Sequence, residues 1–418
     1  MSDWTLERAE RELLDRELFG MRFGLDRMHR LMTALDLPQE RFASIHVVGT
    51  NGKSSTVRMI AAILERHGVR AGAYLSPHLV SFTERVRVGG HDIAPRDFAR
   101  AVQRATRAAG KVDRTLGEGD RVTQFELLTA AAYSELARQE VEVAVVEAGL
   151  GGRFDATNVI ASRVSVLTNV GLEHTRWLGP TLTDIAREKL AVVREGSILV
   201  TGPLEPEAEV EAQAAAERRR ARLVTVAADP PPAALGVRGA FQQANFALAR
   251  AAAQAFLGRL DEGAVAAAAA EVVVPGRCEV VGSDPLTVLD GAHNPAGARA
   301  LAASLPELAE GREVIGVISI LDDKDAAGML TALLGCCAAV VFTSNPNPRA
   351  LSPATLQSLA RQVAPDGPPS ELEPDPRRAL ARARDRAGTA GMVLVTGSIY
   401  LVADLKRPDG DRGRLSAL

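Results

Sequence analysis

Short unbroken apolar runs alternate along the chain with longer stretches whose apolar residues recur every three or four positions. The runs at 45–48, 69–75, 143–146 and 164–170 read as strands, as do 286–289, 314–320, 339–342 and 392–395 nearer the C-terminus. Runs without polar alternation, bounded by turn residues, are strands buried on both faces. Helical spacing fills 6–35 (interrupted at 19–28 and ended by Pro38), 95–109, 122–138 and 182–193. Strands alternating with helices predict mostly parallel sheets covered on both faces. Residues 205–222 run from acidic to basic, an order that suits a helix dipole, so a solvated helix is expected there rather than a nucleic-acid patch. An alanine-rich helix followed by a fresh set of strands puts a domain boundary near 276–284, dividing the chain into 1–281 and a smaller 282–418.

The chain is organised around 44–56, S-I-H-V-V-G-T-N-G-K-S-S-T. A buried strand, a glycine turn and a helix start form a cradle of backbone N–H groups for polyphosphate, with Lys53 as a point charge at the outer phosphates. Gly49, Thr50, Asn51, Gly52, Lys53, Ser54 and Ser55 line this loop, and one of the hydroxyls would reach Mg²⁺. The strict P-loop pattern fails, because Val47 stands where its first glycine belongs. The fold class is therefore α/β: a P-loop-containing, mostly parallel sheet domain followed by a smaller Rossmann-like α/β domain.

Composition narrows the function. With 46% hydrophobic and 24% charged residues the chain is an ordinary globular protein, and 418 residues exceed one comfortable core. A net charge of −3 gives no pull toward nucleic acid or anionic membrane, and 4% aromatics excludes an extensive base-stacking platform. The charged N-terminus lacks a signal-peptide core and no run reaches membrane-spanning length, so a cytoplasmic protein is expected. Cys278, Cys336 and Cys337 build neither a disulfide framework nor a zinc motif and read as small buried residues.

Ligand sites of parallel sheets gather at the carboxyl ends of strands. The loop 49–53, Ser76, Glu147 and His174 all lie just past expected strand ends, so four separate stretches converge on one edge. Taken alone, Glu147 is a turn cap and His174 a hydrogen-bonded loop histidine. Lys189 beside Glu188 reads alone as a solvated lysine.

Eight stretches in order resemble the folylpolyglutamate synthase / dihydrofolate synthase family of the Mur ligase superfamily. They are H-V-V-G-T-N-G-K-S-S-T, S-P-H-L-V-S-F-T-E-R-V, V-E-A-G-L-G-G-R-F-D-A-T-N, and L-T-N-V-G-L-E-H-T continuing to I-A-R-E-K; then P-G-R-C-E, L-D-G-A-H-N-P, D-D-K-D and T-G-S-I-Y-L. The resemblance implies an ATP-dependent ligase adding L-glutamate to dihydropteroate or a reduced folate through an acyl phosphate. It implies two Mg²⁺ sites, one at the Ser54 and Ser55 hydroxyls and one at Ser76, Glu147 and His174. It implies a catalytic Lys189 carbamylated by CO₂, beside Lys53, His174 and His293, and leaves a monovalent cation open. Asn245, Arg277 and Asp290 match positions that hold ATP's base, phosphates and ribose. Lys324 and Ser398 resemble positions facing the incoming glutamate. Phe19, Arg27, Thr123, Phe125 and Ala156 resemble the pteridine pocket. Partners are these small molecules alone, and a monomer is expected.

Departures from the family pattern include Ser54 for glycine, Glu173 for aspartate, Ala148 for valine, Leu190-Ala191 for Ala-Gly and Phe241 for histidine. None removes a phosphate or metal group, and together they indicate a divergent member. The rival readings are a Mur ligase acting on a muropeptide and a non-catalytic P-loop or folate-binding relative. The S-P-H-L…E-R-V and F-E-L-L-T stretches oppose the first. Retention of Lys53, Glu147 and His174 opposes the second, and a GTPase switch lacks its N-K-x-D motif.

Overall fold

The computed structural model describes residues 3–16, 24–227 and 234–408. They form two compact units, one holding the chain up to Ala234 together with Ala244–Val272, the other Leu235–Gln243 and the chain from Val273 on. In the first unit the described residues build an eight-stranded sheet. Its strands are β1 (Ala43–Val48), β2 (Ala71–Tyr74), β3 (Val86–Val88), β4 (His91–Asp92), β5 (Val143–Glu147), β6 (Val164–Leu167), β7 (Ile198–Thr201) and β8 (Arg222–Thr225). They lie in the order β4-β3-β2-β5-β1-β6-β7-β8, parallel from β2 to β8, with β3 and β4 antiparallel at one edge. The central strands are buried along their length, Ile45, Val47 and Val143–Val146 having no exposed surface. Only helices on both faces allow that.

β6 is Val164–Leu167 rather than running to 170, and just past it the Thr168 and Asn169 side chains bond the loop at Asn51. The helix expected over 182–193 is Leu182–Leu190. The helix Pro206–Arg218 is not solvated all round: Ala208, Glu211, Ala212, Ala215 and Ala216 are buried, and Glu211 pairs with Arg187 at 2.8 Å. Strands β7 and β8 were not expected.

An N-terminal pair of helices, Leu6–Leu14 and Asp26–Ala34, packs on Pro95–Asp113, and both contact Gln124–Arg138. The second of them is fixed by an internal ion pair. Arg27 Nε donates to both Glu126 oxygens, at 3.0 and 3.1 Å, and its guanidinium lies 3.4 Å from Asp120. Burial lowers the Arg27 pKa, but the carboxylates outweigh it and hold the pKa above its ordinary value. Glu126 also closes a capping box with Thr123 at the start of its helix. A Glu126→Ala substitution should cost roughly 3 kcal/mol in denaturant unfolding, because it takes the nearer carboxylate from a buried guanidinium and weakens a helix cap; a loss below about 1 kcal/mol, the scale of an exposed pair, would contradict this.

The second unit's sheet comprises β9 (Glu279–Ser283), β10 (Leu286–Leu289), β11 (Val314–Ile318), β12 (Ala339–Phe342), β13 (Ser370–Leu372) and β14 (Met392–Thr396). Its order is β13-β12-β11-β14-β10-β9, with only β9 antiparallel. The division expected at 281/282 therefore moves to 272/273. β9 is laddered to β10, and the Cys278 N–H donates to Asp290 at 2.9 Å, so this stretch cannot be parted from the second sheet. Leu301 and Leu305 of the helix Pro295–Ala309 pack with Ile318, Phe342 and Leu394 in its core.

Candidate active site

The loop after β1 is four residues long, and the helix Lys53–Arg66 starts from Gly52 as its cap. Gly52 has φ 82° and Gly49 φ 151°, in the region that favours glycine. Each is also covered by a side chain. A Cβ at Gly49 would lie 1.9 Å from Thr168 Oγ1, and one at Gly52 would lie 2.4 Å from Asn245 Oδ1. Gly49→Ala should therefore destabilise the fold by about 2 kcal/mol and weaken MgADP binding; an alanine variant matching the parent in both melting and calorimetry would show that the loop tolerates a side chain there.

Lys53 Nζ donates to the Gly49 and Thr50 carbonyls, each at 3.1 Å. Lys189 Nζ, 140 residues along the chain, donates to the same Gly49 carbonyl at 2.9 Å. Lys189 is 4% exposed rather than solvated. Burial, and then the nearby Lys53 ammonium, push its pKa down to about 7, with Glu173, Asp155 and Glu188 pulling the other way. It is an amine that is substantially neutral at physiological pH.

Glu147, the buried last residue of β5, accepts from the Ser54 hydroxyl at 2.8 Å and from the Ser76 N–H at 3.0 Å. Three of the expected residues thus meet at one carboxylate. Ser55, by contrast, is buried. The segment after Ser76 is shaped by Glu84, which takes the N–H groups of Leu79, Val80 and Ser81 at 2.8–2.9 Å. The S-F-T-E capping box was the legible signal for that role. His174 begins the short helix Thr175–Leu178 at φ 52°, with its side chain 38% exposed and Nε2 3.8 Å from Glu173.

Asn245 lies over Gly52 in the first unit. Thr123 caps its helix, Phe125 stacks on Tyr74 with ring centres 6.3 Å apart, and Ala156 opens a buried 3₁₀ turn. Arg27 is engaged by Glu126 within the protein, and Phe19 lies outside the described residues.

In the second unit Asp290 is buried just past β10, accepting from the N–H groups of Cys278 and Ala292 at 2.9 and 2.8 Å. Burial raises its pKa, while the Arg277 charge and these N–H groups lower it. Arg277 passes so close to Gly291 that a Cβ there would meet its guanidinium at 2.3 Å. The His293 ring nitrogen Nδ1 is 2.9 Å from the Gly291 carbonyl, and the capping task at Pro295–Ala309 falls to Asn294. Lys324 is mostly buried, 3.9 Å from Asp323, and Asp325 caps the following helix. Ser398 is buried and spends its hydroxyl as the cap of Ile399–Lys406.

Among the described residues no three His, Cys, Asp or Glu side chains converge as a metal cage. The Glu147 carboxylate with the Ser54 hydroxyl is instead a pair of oxygen donors, which fits Mg²⁺ sharing its shell with water and phosphate rather than zinc. No helix of the described residues is long and apolar enough to cross a membrane.

Two family descriptions match the two units. The Mur ligase middle domain covers residues 47–232, and the Mur ligase glutamate ligase domain covers 276–399. Fold and site thus define a Mur-type ligase, a class of ATP-dependent enzymes that form amide bonds. The Bacillus subtilis dihydrofolate synthase/folylpolyglutamate synthase is 31% identical over 93% of this chain and 95% of its own. Mycobacterium tuberculosis folylpolyglutamate synthase, complexed with ADP, superposes with a TM-score of 0.89 at 32% identity, covering 96% of this chain and 97% of that one. The Yersinia pestis bifunctional enzyme, complexed with AMPPNP and Mn, gives 0.84 at 29% identity over 96% and 97%. The chain belongs to the folylpolyglutamate synthase / dihydrofolate synthase family.

Proposed function

We propose that this protein joins L-glutamate to dihydropteroate, to a reduced folate, or to both, with ATP cleaved to ADP and phosphate. The observation that carries the reading is a buried lysine of depressed pKa bonded to the Gly49 carbonyl of the phosphate loop, with the buried Glu147 carboxylate holding the Ser54 hydroxyl of the same loop's helix. A carboxylate is a poor electrophile. Its oxygen attacks the γ-phosphorus, ADP departs, and an acyl phosphate forms. The glutamate amine then attacks the acyl carbon, and the C–O bond to phosphate breaks as the amine proton is lost.

The chain's contribution is alignment and charge neutralisation. Lys53 and the first N–H groups of Lys53–Arg66 hold the outer phosphates. Arg277 and Asp290 engage phosphate and ribose, and Asn245 faces the base. Ser54, Ser55, Ser76, Glu147 and His174 would hold two magnesium ions, which supply positive charge to the phosphates. Lys189, with its amine near neutrality, suits the CO₂ adduct that the family implies. Thr123, Phe125 and Ala156 face the pteridine, Lys324 and Ser398 serve the incoming glutamate, and His293 acts with Lys53, His174 and Lys189 in the catalysis. A cytoplasmic monomer acting on small molecules is the accompanying proposal.

The test is ADP release with MgATP and L-glutamate, offering dihydropteroate and tetrahydrofolate separately. Turnover with both makes the enzyme bifunctional, and turnover with one assigns it. Turnover with neither, from protein that binds ATP, overturns the assignment in favour of another acid acceptor.

A further inference from the structure

We propose that Asn169, with Thr168, is a positioning residue for the nucleotide reaction: the two side chains set the phosphate loop from outside. The inference rests on the nucleotide chemistry proposed above. The loop is too short to shape itself, since β1 runs through Val47, where a longer phosphate loop would already have turned. Its frame comes from the end of β6. The Asn169 side chain accepts from the Asn51 N–H at 2.9 Å and donates to the Asn51 carbonyl at 3.2 Å. One carboxamide thus pairs both backbone groups of one loop residue, as a neighbouring strand would. The Asn169 carbonyl takes the Thr50 N–H at 3.0 Å. Thr168, 5% exposed, donates its hydroxyl to the same Asn51 carbonyl at 2.6 Å and covers Gly49.

The consequence is directional. Two donors pin the Asn51 carbonyl toward β6, and a planar trans peptide puts the Gly52 N–H on the opposite side. The N–H groups of Thr50 and Asn51 are spent on Asn169. Anion binding is therefore left to the N–H groups from Gly52 onward, at the positive end of Lys53–Arg66. Without the clamp the Asn51–Gly52 peptide can rotate, and the nucleotide has to restore its orientation on binding.

The variants Asn169→Ala, Thr168→Val and Thr168→Ser separate this role from packing. Asn169→Ala should raise the MgADP dissociation constant and the KM for ATP about ten- to hundredfold, the worth of one or two hydrogen bonds. Its nucleotide-free melting temperature should move by no more than about 3 °C, and the KM for the acid substrate by less than about twofold. Thr168→Val, which keeps the shape but loses the donor, should share the defect, and Thr168→Ser should restore parental values. Parental MgADP affinity in Asn169→Ala, or equal behaviour of the valine and serine variants, overturns the proposal. Calorimetry with MgADP needs no turnover, so the proposal stands or falls separately from the choice of acid substrate.

Discussion

Lys189→Met is expected to give a protein that is more stable than its parent and inactive. A lysine whose pKa falls from 10.5 to about 7 on folding carries a burial penalty of roughly 5 kcal/mol while both states are protonated. Methionine removes that penalty and forfeits the hydrogen bond to Gly49, worth about 1–2 kcal/mol, leaving a net gain of roughly 3 kcal/mol. The sign depends on pH. Below about 7 the parent's Lys189 is charged in both states and the penalty is complete. Between about 7 and 10.5 the unfolded chain holds a proton that the native state does not, so the parent gains stability as pH rises and the variant's advantage shrinks. Denaturant unfolding of metal-free protein at pH 6 and pH 9 measures this. A methionine variant less stable than the parent at pH 6, or an advantage that does not change with pH, would refute the burial argument. Loss of turnover in the stabilised variant would place Lys189 in the chemistry rather than in the fold.

Glu147→Gln should lower kcat by roughly two to three orders of magnitude with the fold intact, the usual effect of removing a preorganised group from a charge-stabilising site. The carboxylate serves two donors at once, the Ser54 hydroxyl and the Ser76 N–H. A carboxamide can keep the Ser76 N–H on its one oxygen and donate its NH₂ to the Ser54 hydroxyl, which then accepts, so the geometry survives. The change deletes the only negative charge in the oxygen donor set. Activity titrated with Mg²⁺ is the measurement. Turnover within about threefold of the parent would remove Glu147 from the metal site, because a lost charge-assisted contact costs more than that.

Much of the architecture was readable because its central strands are buried on both faces and therefore mostly apolar. β1, β5, β10, β12 and β14 are of this kind, with only buried Ser44, His46, Thr287, Glu147 and Thr396 breaking the run. The strands that went unread are mostly edges. β8 is half exposed and follows R-R-R-A, while β9 and β13 expose Val280, Val281 and Leu372 to solvent, so their sequences lack the same signal. β7 is buried but only four residues long, directly after a glycine turn. In the site, the positions past strand ends were legible one by one, but the partnerships were not. Nothing local joins Lys189 to Gly49 or Glu147 to Ser54, which are 140 and 93 residues apart. Thr168 and Asn169 stood within the motif L-T-N-V-G without a role, since only the folded loop shows which backbone groups they hold.

The order of strands in the first sheet has a bearing on synthesis. β1 is flanked by β5 and β6, whose residues 143–147 and 164–167 emerge about a hundred positions later. At about 5–20 residues per second on the ribosome, the apolar strand at 43–48 waits roughly ten seconds for its first flanking partner. The phosphate loop, whose frame comes from Thr168 and Asn169, takes shape only after residue 169 has left the exit tunnel. Nascent chains shorter than this carry the whole phosphate-loop sequence yet lack the side chains that frame it. ATP therefore meets an unframed loop on the growing N-terminal half, and protection of its unpaired strand falls to the helices on either side or to chaperones.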